Sequence, residues 1–257
     1  MLKSFYLPDS FPAFFFNSEK LKVPLGYNTA GNIVYIDFLK YPHFLISGAT
    51  GQGKSTAVKT IISSLLTNNF QDEVQLVLID LKKVELNTFK NIPHCLKFCD
   101  NIDNAKSVLT DVLNIIYRRF DVLQSLNKTN NNGIFSHIFL IIDEYANLVL
   151  IDKSIEKTII LISQLGRAAG VHLILCTQLP TAKIITNLIN VNINCRLALR
   201  VETSLNSRSI LNVKGAELLK APGDAILKQD IDLQHFKVFQ TPGNYINNLV
   251  NFWSSQL

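Results

Sequence analysis

Charge is scarce in this chain: Asp, Glu, Lys and Arg together make up 18% of its 257 residues, where a soluble domain usually carries about 25%. The shortfall has two readings, a surface partly covered by other subunits or simply a large core. Long apolar runs are lacking as well. None approaches the ~18 residues needed to cross a bilayer, so the chain as given reads as soluble and cytoplasmic. The N-terminal MLKSFYLPDSFPAFFF is broken by Pro8, Asp9 and Pro12 and makes a poor signal peptide. Cysteine is sparse. His94-Cys95 with Cys99 has no second cluster to complete a four-coordinate metal site. Cys176 and Cys195 lie in apolar runs, where cysteine acts as a small core residue, and all four are expected to be reduced. No internal repeat is present, and residues 127–133 form the only low-complexity patch.

What is there points to one globular α/β domain. A hydrophobic content of 47% excludes disorder, and 257 residues can bury a large core. The net charge of +5 is mildly basic, compatible with a polyanionic partner without demanding one.

The most informative stretch is HFLISGATGQGKST, residues 43–56. Phe44, Leu45 and Ile46 read as a buried strand. Gly48, Ala49, Thr50, Gly51, Gln52, Gly53, Lys54 and Ser55 then fit G-x-x-x-x-G-K-[ST], the phosphate-binding loop. The glycines let the backbone curl until successive N–H groups face one anion. Lys54 is expected to reach the β- and γ-phosphates of ATP and Ser55 to bind Mg²⁺. Thr56 closes the loop as the next helix begins, and that helix adds its N-terminal dipole. Val58, Ile61, Ile62, Leu65 and Leu66 give it an amphipathic pattern ending near Asn68-Asn69.

Residues 1–25 are punctuated by proline and read as an irregular lead-in, with the domain proper over 26–257. Strands are expected at 33–38, 74–79, 138–142, 171–176, 196–201, 225–227 and 237–239. Helices are expected at 104–126, 155–169, 184–189 and 205–211, with a terminal one carrying Ile246, Leu249, Val250 and Trp253. The alternation predicts a doubly wound, mainly parallel sheet flanked by helices, with ligand at the C-terminal ends of the strands. The strand at 138–142 runs into Asp143 and Glu144. Beside a phosphate loop, Asp143 would hold Mg²⁺ through its water shell and Glu144 would polarise the attacking water. Gln178, at the end of another strand, either senses the γ-phosphate or caps the turn before Pro180.

Taken in order, these motifs resemble the motor domain of the FtsK/SpoIIIE family of RecA-like P-loop ATPases. Leu25-Gly26 with Ala30-Gly31, the GATGQGKST loop, and Ile79-Asp80-Leu81-Lys82-Lys83-Val84-Glu85-Leu86 are similar to successive family blocks. So are Tyr117-Arg118-Arg119-Phe120, Ile142-Asp143-Glu144-Tyr145-Ala146-Asn147, and Gly166-Arg167-Ala168-Ala169-Gly170-Val171-His172. Cys176-Thr177-Gln178-Leu179-Pro180, Ile193-Asn194-Cys195-Arg196, Ser207-Arg208-Ser209-Ile210-Leu211 and Gly215-Ala216-Glu217-Leu218-Leu219 follow, and Gly223-Asp224 and Phe252-Trp253 close the order. Leu81 stands where proline is usual and Leu179 where arginine is usual, and no winged-helix module follows.

The resemblance implies a homo-oligomeric ring, usually of six, that hydrolyses ATP to move double-stranded DNA, with single strands left open. It implies plasmid or conjugative transfer and a membrane-anchored partner as settings. A protein-secretion ATPase and an ATP-switched assembly module are the alternatives. Such rings take an arginine from the neighbouring subunit. Arg196 and Arg208 are the first candidates and Arg167 the third, each with the alternative of pairing inside its own subunit. Lys183, Lys214 and Lys220 are candidates for DNA phosphate contacts or are simply solvated.

Overall fold

The computed structural model describes residues 19–256. The chain opens with an antiparallel pair, β1 (Lys22–Asn28) and β2 (Ile33–Asp37). Next come β3 (His43–Ser47), α1 (Lys54–Asn68), β4 (Val74–Ile79), β5 (Cys95–Cys99), α2 (Ile102–Ser125) and β6 (His137–Ile142). The second half continues with α3 (Tyr145–Ile151), α4 (Ile155–Ala169), β7 (Val171–Thr177), α5 (Asn187–Asn192), β8 (Cys195–Leu199) and α6 (Ser204–Leu211). A hairpin, β9 (Asp224–Gln229) and β10 (Asp232–Val238), leads to the terminal α7 (Gly243–Ser254).

All ten strands form one sheet in the order β2-β1-β10-β9-β8-β3-β7-β6-β4-β5. From β8 to β5 every pairing is parallel. The strands from β9 outward to β2 pair antiparallel. The parallel strands read as unbroken apolar runs because both faces are covered. Phe44 and Ile46 of β3 join α1, α7 and the β1–β2 pair in one core. Leu45, between them, joins α2, α4 and α6 in the other. Trp253 of α7 donates its indole N–H to the Leu66 carbonyl at the end of α1, 3.1 Å away, and so fixes the last helix on the first.

The doubly wound, mainly parallel architecture expected from the alternation is therefore present. Four local expectations need correction. Residues 1–18 of the expected lead-in lie outside the described residues, but 22–25 are not irregular, since β1 begins at Lys22. The helix expected at 184–189 starts three residues later, because the Thr186 hydroxyl caps it by accepting from the Ile189 amide. Ile184 and Ile185 are buried in the turn before it. The closing strands are longer than expected, and β5 and α3 were not anticipated at all.

Candidate active site

β3 delivers the chain to the C-terminal edge of the sheet, where the phosphate loop turns back into α1. The loop is held from both sides. The Gly48 amide donates to the Thr177 carbonyl of β7 at 3.4 Å, and the Ala49 amide to the Arg200 carbonyl beyond β8 at 2.8 Å. The Gly223 amide, just before β9, donates to the Gln52 carbonyl at 2.9 Å. Gly53 takes φ +105°, a conformation costly for any side chain, and this lets the loop enter the helix directly. The first helical bond runs from the Ala57 amide to the Gly53 carbonyl at 2.9 Å. The amides of Lys54, Ser55 and Thr56 before it have no helical acceptor and are left for an anion. The loop forms one wall of a cavity of about 420 Å³; Glu85, Gln178, Gly223 and Lys237 contribute to the rest.

Lys54 is only 4% exposed. Its ammonium lies 2.7 Å from the Asp143 carboxylate and 2.6 Å from the Asp143 carbonyl. Burial disfavours its charge, but Cys176 and the carboxylates of Asp143 and Glu144 raise its pKa above the ordinary lysine value. Glu144 is tethered on the other side. Its Oε1 accepts the Thr177 hydroxyl at 2.7 Å and its Oε2 accepts the Gln178 amide at 2.9 Å. Gln178 in turn accepts the Thr50 hydroxyl of the phosphate loop on its side-chain oxygen at 2.7 Å. Parallel pairing of β3, β7 and β6 brings all these groups to one edge. Next to Ser55, Glu85 pairs with Lys59 at 2.9 Å, and although burial works against its charge, the bonds from Lys59 and Ser55 hold its carboxyl below the usual range. Asp80, at the end of β4, shapes that segment by accepting the amides of Lys82, Glu85 and Leu86.

The donor set fits a metal–triphosphate group. A cradle of uncommitted amides, one buried lysine and a carboxylate beside a serine are what Mg²⁺ and ATP phosphates require. The sequence-predicted residues Gly48 to Thr56, Asp143, Glu144 and Gln178 are thus brought together. The Gln178 side chain faces the phosphate loop, and in the turn that follows the Leu179 amide donates to the Thr177 hydroxyl at 3.1 Å.

Arg196 is a correction. It is 3% exposed on β8, and its guanidinium donates to the carbonyls of Ile193 (2.7 Å), Ile210 (3.0 Å) and Asn190 and faces the Asn212 side chain. A group bound by that many interior acceptors cannot reach a neighbouring subunit. Arg208 and Arg167 are both exposed, the latter near the C-terminus of α4. Lys183, Lys214 and Lys220 are exposed in connecting segments. Sequence reasoning named Thr177 and Gly223 only within family blocks, without their contacts, and passed over Lys237. For Thr177 there was a signal, a hydroxyl at the polar end of an apolar strand; nothing marked Lys237.

The four cysteines are free. Cys176 and Cys195 are buried in the core as expected, and burial pushes the Cys176 thiol up to about 12. Among the described residues no group of His, Cys, Asp and Glu is arranged to hold a metal by itself, and no helix is long and apolar enough to cross a membrane.

Comparison with known proteins agrees with this geometry. A sequence model of the FtsK/SpoIIIE family matches residues 13–133. The chain is 35% identical over 263 residues to a DNA translocase FtsK of Lactiplantibacillus plantarum, covering 93% of this chain and 33% of that protein. It is 38% identical over 221 residues to a DNA translocase FtsK of Caldanaerobacter subterraneus subsp. tengcongensis, covering 82% and 31%. The chain thus spans about a third of the length of these relatives. In fold it is similar to the pCW3 conjugation coupling protein TcpA in its monomer form with ATPγS, at a TM-score of 0.82 and 24% identity over 96% of this chain and 74% of that one. It is equally similar to the cytoplasmic domain of the Thermomonospora curvata type VII secretion ATPase EccC, at 0.81 and 22% over 98% and 34%. With the ordered motifs, the mainly parallel sheet and the sequence identity in agreement, the chain belongs to the FtsK/SpoIIIE family of P-loop ATPases.

Proposed function

We propose that this chain is the motor unit of an ATP-driven translocase of double-stranded DNA, working as a homo-oligomeric ring of six on the cytoplasmic side, in plasmid or conjugative transfer, with a membrane-anchored partner. The observation that carries the reading is the meeting of Lys54, Asp143, Glu144 and Gln178 at one sheet edge. It is supported by the sequence relatives, each named a DNA translocase. In this reading Lys54 leaves Asp143 for the β- and γ-phosphates, and the loop amides bind the same oxygens. Ser55 and Asp143 would hold Mg²⁺, which would supply positive charge to the triphosphate. Glu144 takes a proton from the attacking water. Gln178, through its bond to Thr50, registers whether the loop is filled. A cation from the neighbouring subunit, Arg208 or Arg167, completes the charge balance.

DNA is held by its phosphates, through Lys183 and other exposed lysines, so binding is indifferent to sequence. A secretion motor shares the fold, but the relatives at 35% and 38% identity favour DNA. The test is steady-state ATPase with linear duplex, with single strands and with neither. Duplex is expected to raise turnover, the rise is expected to fade steeply with salt, and Lys54→Ala is expected to abolish both rates. Duplex-independent hydrolysis would overturn the translocase reading, and a fully active Lys54→Ala would overturn the nucleotide site itself.

A further inference from the structure

Glu144 is the N-cap residue of α3, yet its side chain caps nothing in that helix. Instead it reaches across to the end of β7, where both carboxylate oxygens accept from protein donors. Oε1 takes the Thr177 hydroxyl at 2.7 Å and shares the Gln178 amide at 3.2 Å, which sits 2.9 Å from Oε2. A base acts by accepting a proton from a water within hydrogen-bond reach. Here two protein donors already fix where that carboxylate lies, against the end of β7, before any water reaches it. The Thr177 hydroxyl has a second bond, accepted from the Leu179 amide at 3.1 Å. Thr177 itself is pinned by its carbonyl, which accepts the Ser47 hydroxyl at 2.8 Å and the Gly48 amide. Its side chain is therefore a joint between Glu144 and the segment that follows β7. That segment is a chain of turns, with the Thr181 amide on the Leu179 carbonyl and those of Ile184 and Ile185 on the Thr181 carbonyl. Ile184 and Ile185 root it in the core, while Leu179, Ala182 and Lys183 are exposed.

We propose that Thr177 is a positioning residue that keeps the Glu144 carboxylate in a resting place, and that a polyanionic duplex engaging the segment around Lys183 draws Leu179 away and releases it. The proposal deepens the reading given above, resting on Glu144 as the water-activating group. It makes hydrolysis depend on the presence of cargo through one hydroxyl.

The test measures basal and duplex-stimulated ATPase for wild type, Thr177→Val, Thr177→Ser and Glu144→Gln, together with hydrogen exchange over residues 173–186 in nucleotide-free protein with and without linear duplex. Thr177→Val is expected to raise basal kcat about tenfold, the scale of one lost hydrogen bond to a charged group. KM for ATP is expected to hold, and the ratio of stimulated to basal rate to fall toward one. Thr177→Ser is expected to restore that ratio. In the empty wild type, duplex is expected to speed exchange at the Gln178 and Leu179 amides. A lower kcat in Thr177→Val, an unchanged ratio, or exchange indifferent to duplex each overturns the proposal. If Thr177→Val fails to fold, the wild-type exchange measurement decides alone. Wild-type turnover in Glu144→Gln would instead overturn the role of Glu144, and with it anything Thr177 does through it.

Discussion

Lys54 and Asp143 illustrate how a proposed active-site pair can also be a structural one. Each is nearly inaccessible and each is the other's counter-ion, 2.7 Å apart. Removing one partner of such a pair leaves a buried charge uncompensated, which costs about 3–5 kcal/mol. Asp143→Asn is therefore expected to lower stability in urea by about 3 kcal/mol in the absence of nucleotide, whereas Glu144→Gln, half-exposed and held by neutral donors, shifts it far less. Equal midpoints for the two variants would sink the argument. The same logic separates the arginines. Arg196→Ala orphans interior carbonyls and is expected to cost about 3 kcal/mol, while Arg208→Ala leaves the unfolding midpoint where it was and lowers turnover. From the sequence the two looked alike, because motif order gives a residue's place in the chain and not the direction of its side chain. On a strand covered on both faces there is no solvent side for Arg196 to choose; its strand neighbours in register are Leu45 and Lys228. Lys54, Ser55, Asp143 and Glu144 were legible because their chemistry requires those residue types at fixed offsets from strand ends. Thr177 was not, since its part depends on a contact between two strands far apart in sequence.

Among elements, those readable in the sequence were the ones whose burial is periodic or continuous. α4 was expected at its observed bounds, and α2 within two residues. β5 escaped because it is a sheet edge, with Leu96 and Lys97 exposed and only Cys99 buried, so it has no apolar run to announce it. β10 was expected only at 237–239 for a similar reason; most of its residues face solvent, and its place is set by pairing with β1 and β9. That pairing demands close approach at Gly26, where a Cβ would lie 1.9 Å from the Lys237 carbonyl oxygen. Gly26→Ala is expected to destabilise the antiparallel half of the sheet by about 3 kcal/mol, read as a shifted urea midpoint, and an unshifted midpoint would mean that β10 pairs differently. At the opposite end of the parallel strands from the phosphate loop, β3, β6 and β7 begin with three clustered histidines, His43 and His172 buried and His137 half-buried. His137 and His172 are bonded ring to ring at 2.9 Å, and His43 accepts the Leu173 amide at 3.1 Å. Burial lowers His43 and His137 to about 4 and His172 well below the ordinary value. The unfolded chain binds protons at these positions from about pH 6.5 downward and the folded one does not until about pH 4, so stability falls as pH drops through that window. Each histidine adds a slope of about 1.4 kcal/mol per pH unit. Urea unfolding at intervals from pH 7 to 4.5 is expected to show this, and His137→Gln to lower the slope by about one proton's share. A slope that His137→Gln leaves intact would count against a neutral half-buried imidazole.

For the whole molecule, the question is how one chain's sheet edge becomes a complete catalytic site. Lys54, Asp143, Glu144 and Gln178 all come from a single subunit, yet no arginine side chain lines the phosphate cavity. Arg167 lies near the C-terminus of α4, which runs back toward the start of β7 and so away from the phosphate-loop edge; Arg208 is exposed on α6. In the proposed ring, the phosphate that either would serve is the neighbour's. The scarcity of charge seen in the sequence has its counterpart here in the exposed apolar side chains of Leu150, Leu188, Val191 and Leu205 on α3, α5 and α6, the kind of surface that subunit contacts cover. If the arginine acts in trans, it and Lys54 belong to one site but to different chains, and mixing inactive subunits separates the two cases. Lys54→Ala alone and the arginine variant alone are each expected to be inactive. Mixed in equal amounts, they regain activity, because an arginine-variant subunit with its loop intact sits beside a Lys54→Ala subunit with its arginine intact. Random assembly into a closed ring makes about a quarter of the interfaces whole, so about a quarter of wild-type ATPase is expected if sites work independently. The control is Lys54→Ala mixed with Glu144→Gln. Both groups come from the same chain, no interface is whole, and no activity returns. Running the mixture with Arg208→Ala and then with Arg167→Ala identifies the arginine, since only the variant that acts in trans is both inactive alone and rescued. Rescue of neither would show that neither arginine acts in trans, and rescue in the Lys54–Glu144 control would show that those two groups act from different chains.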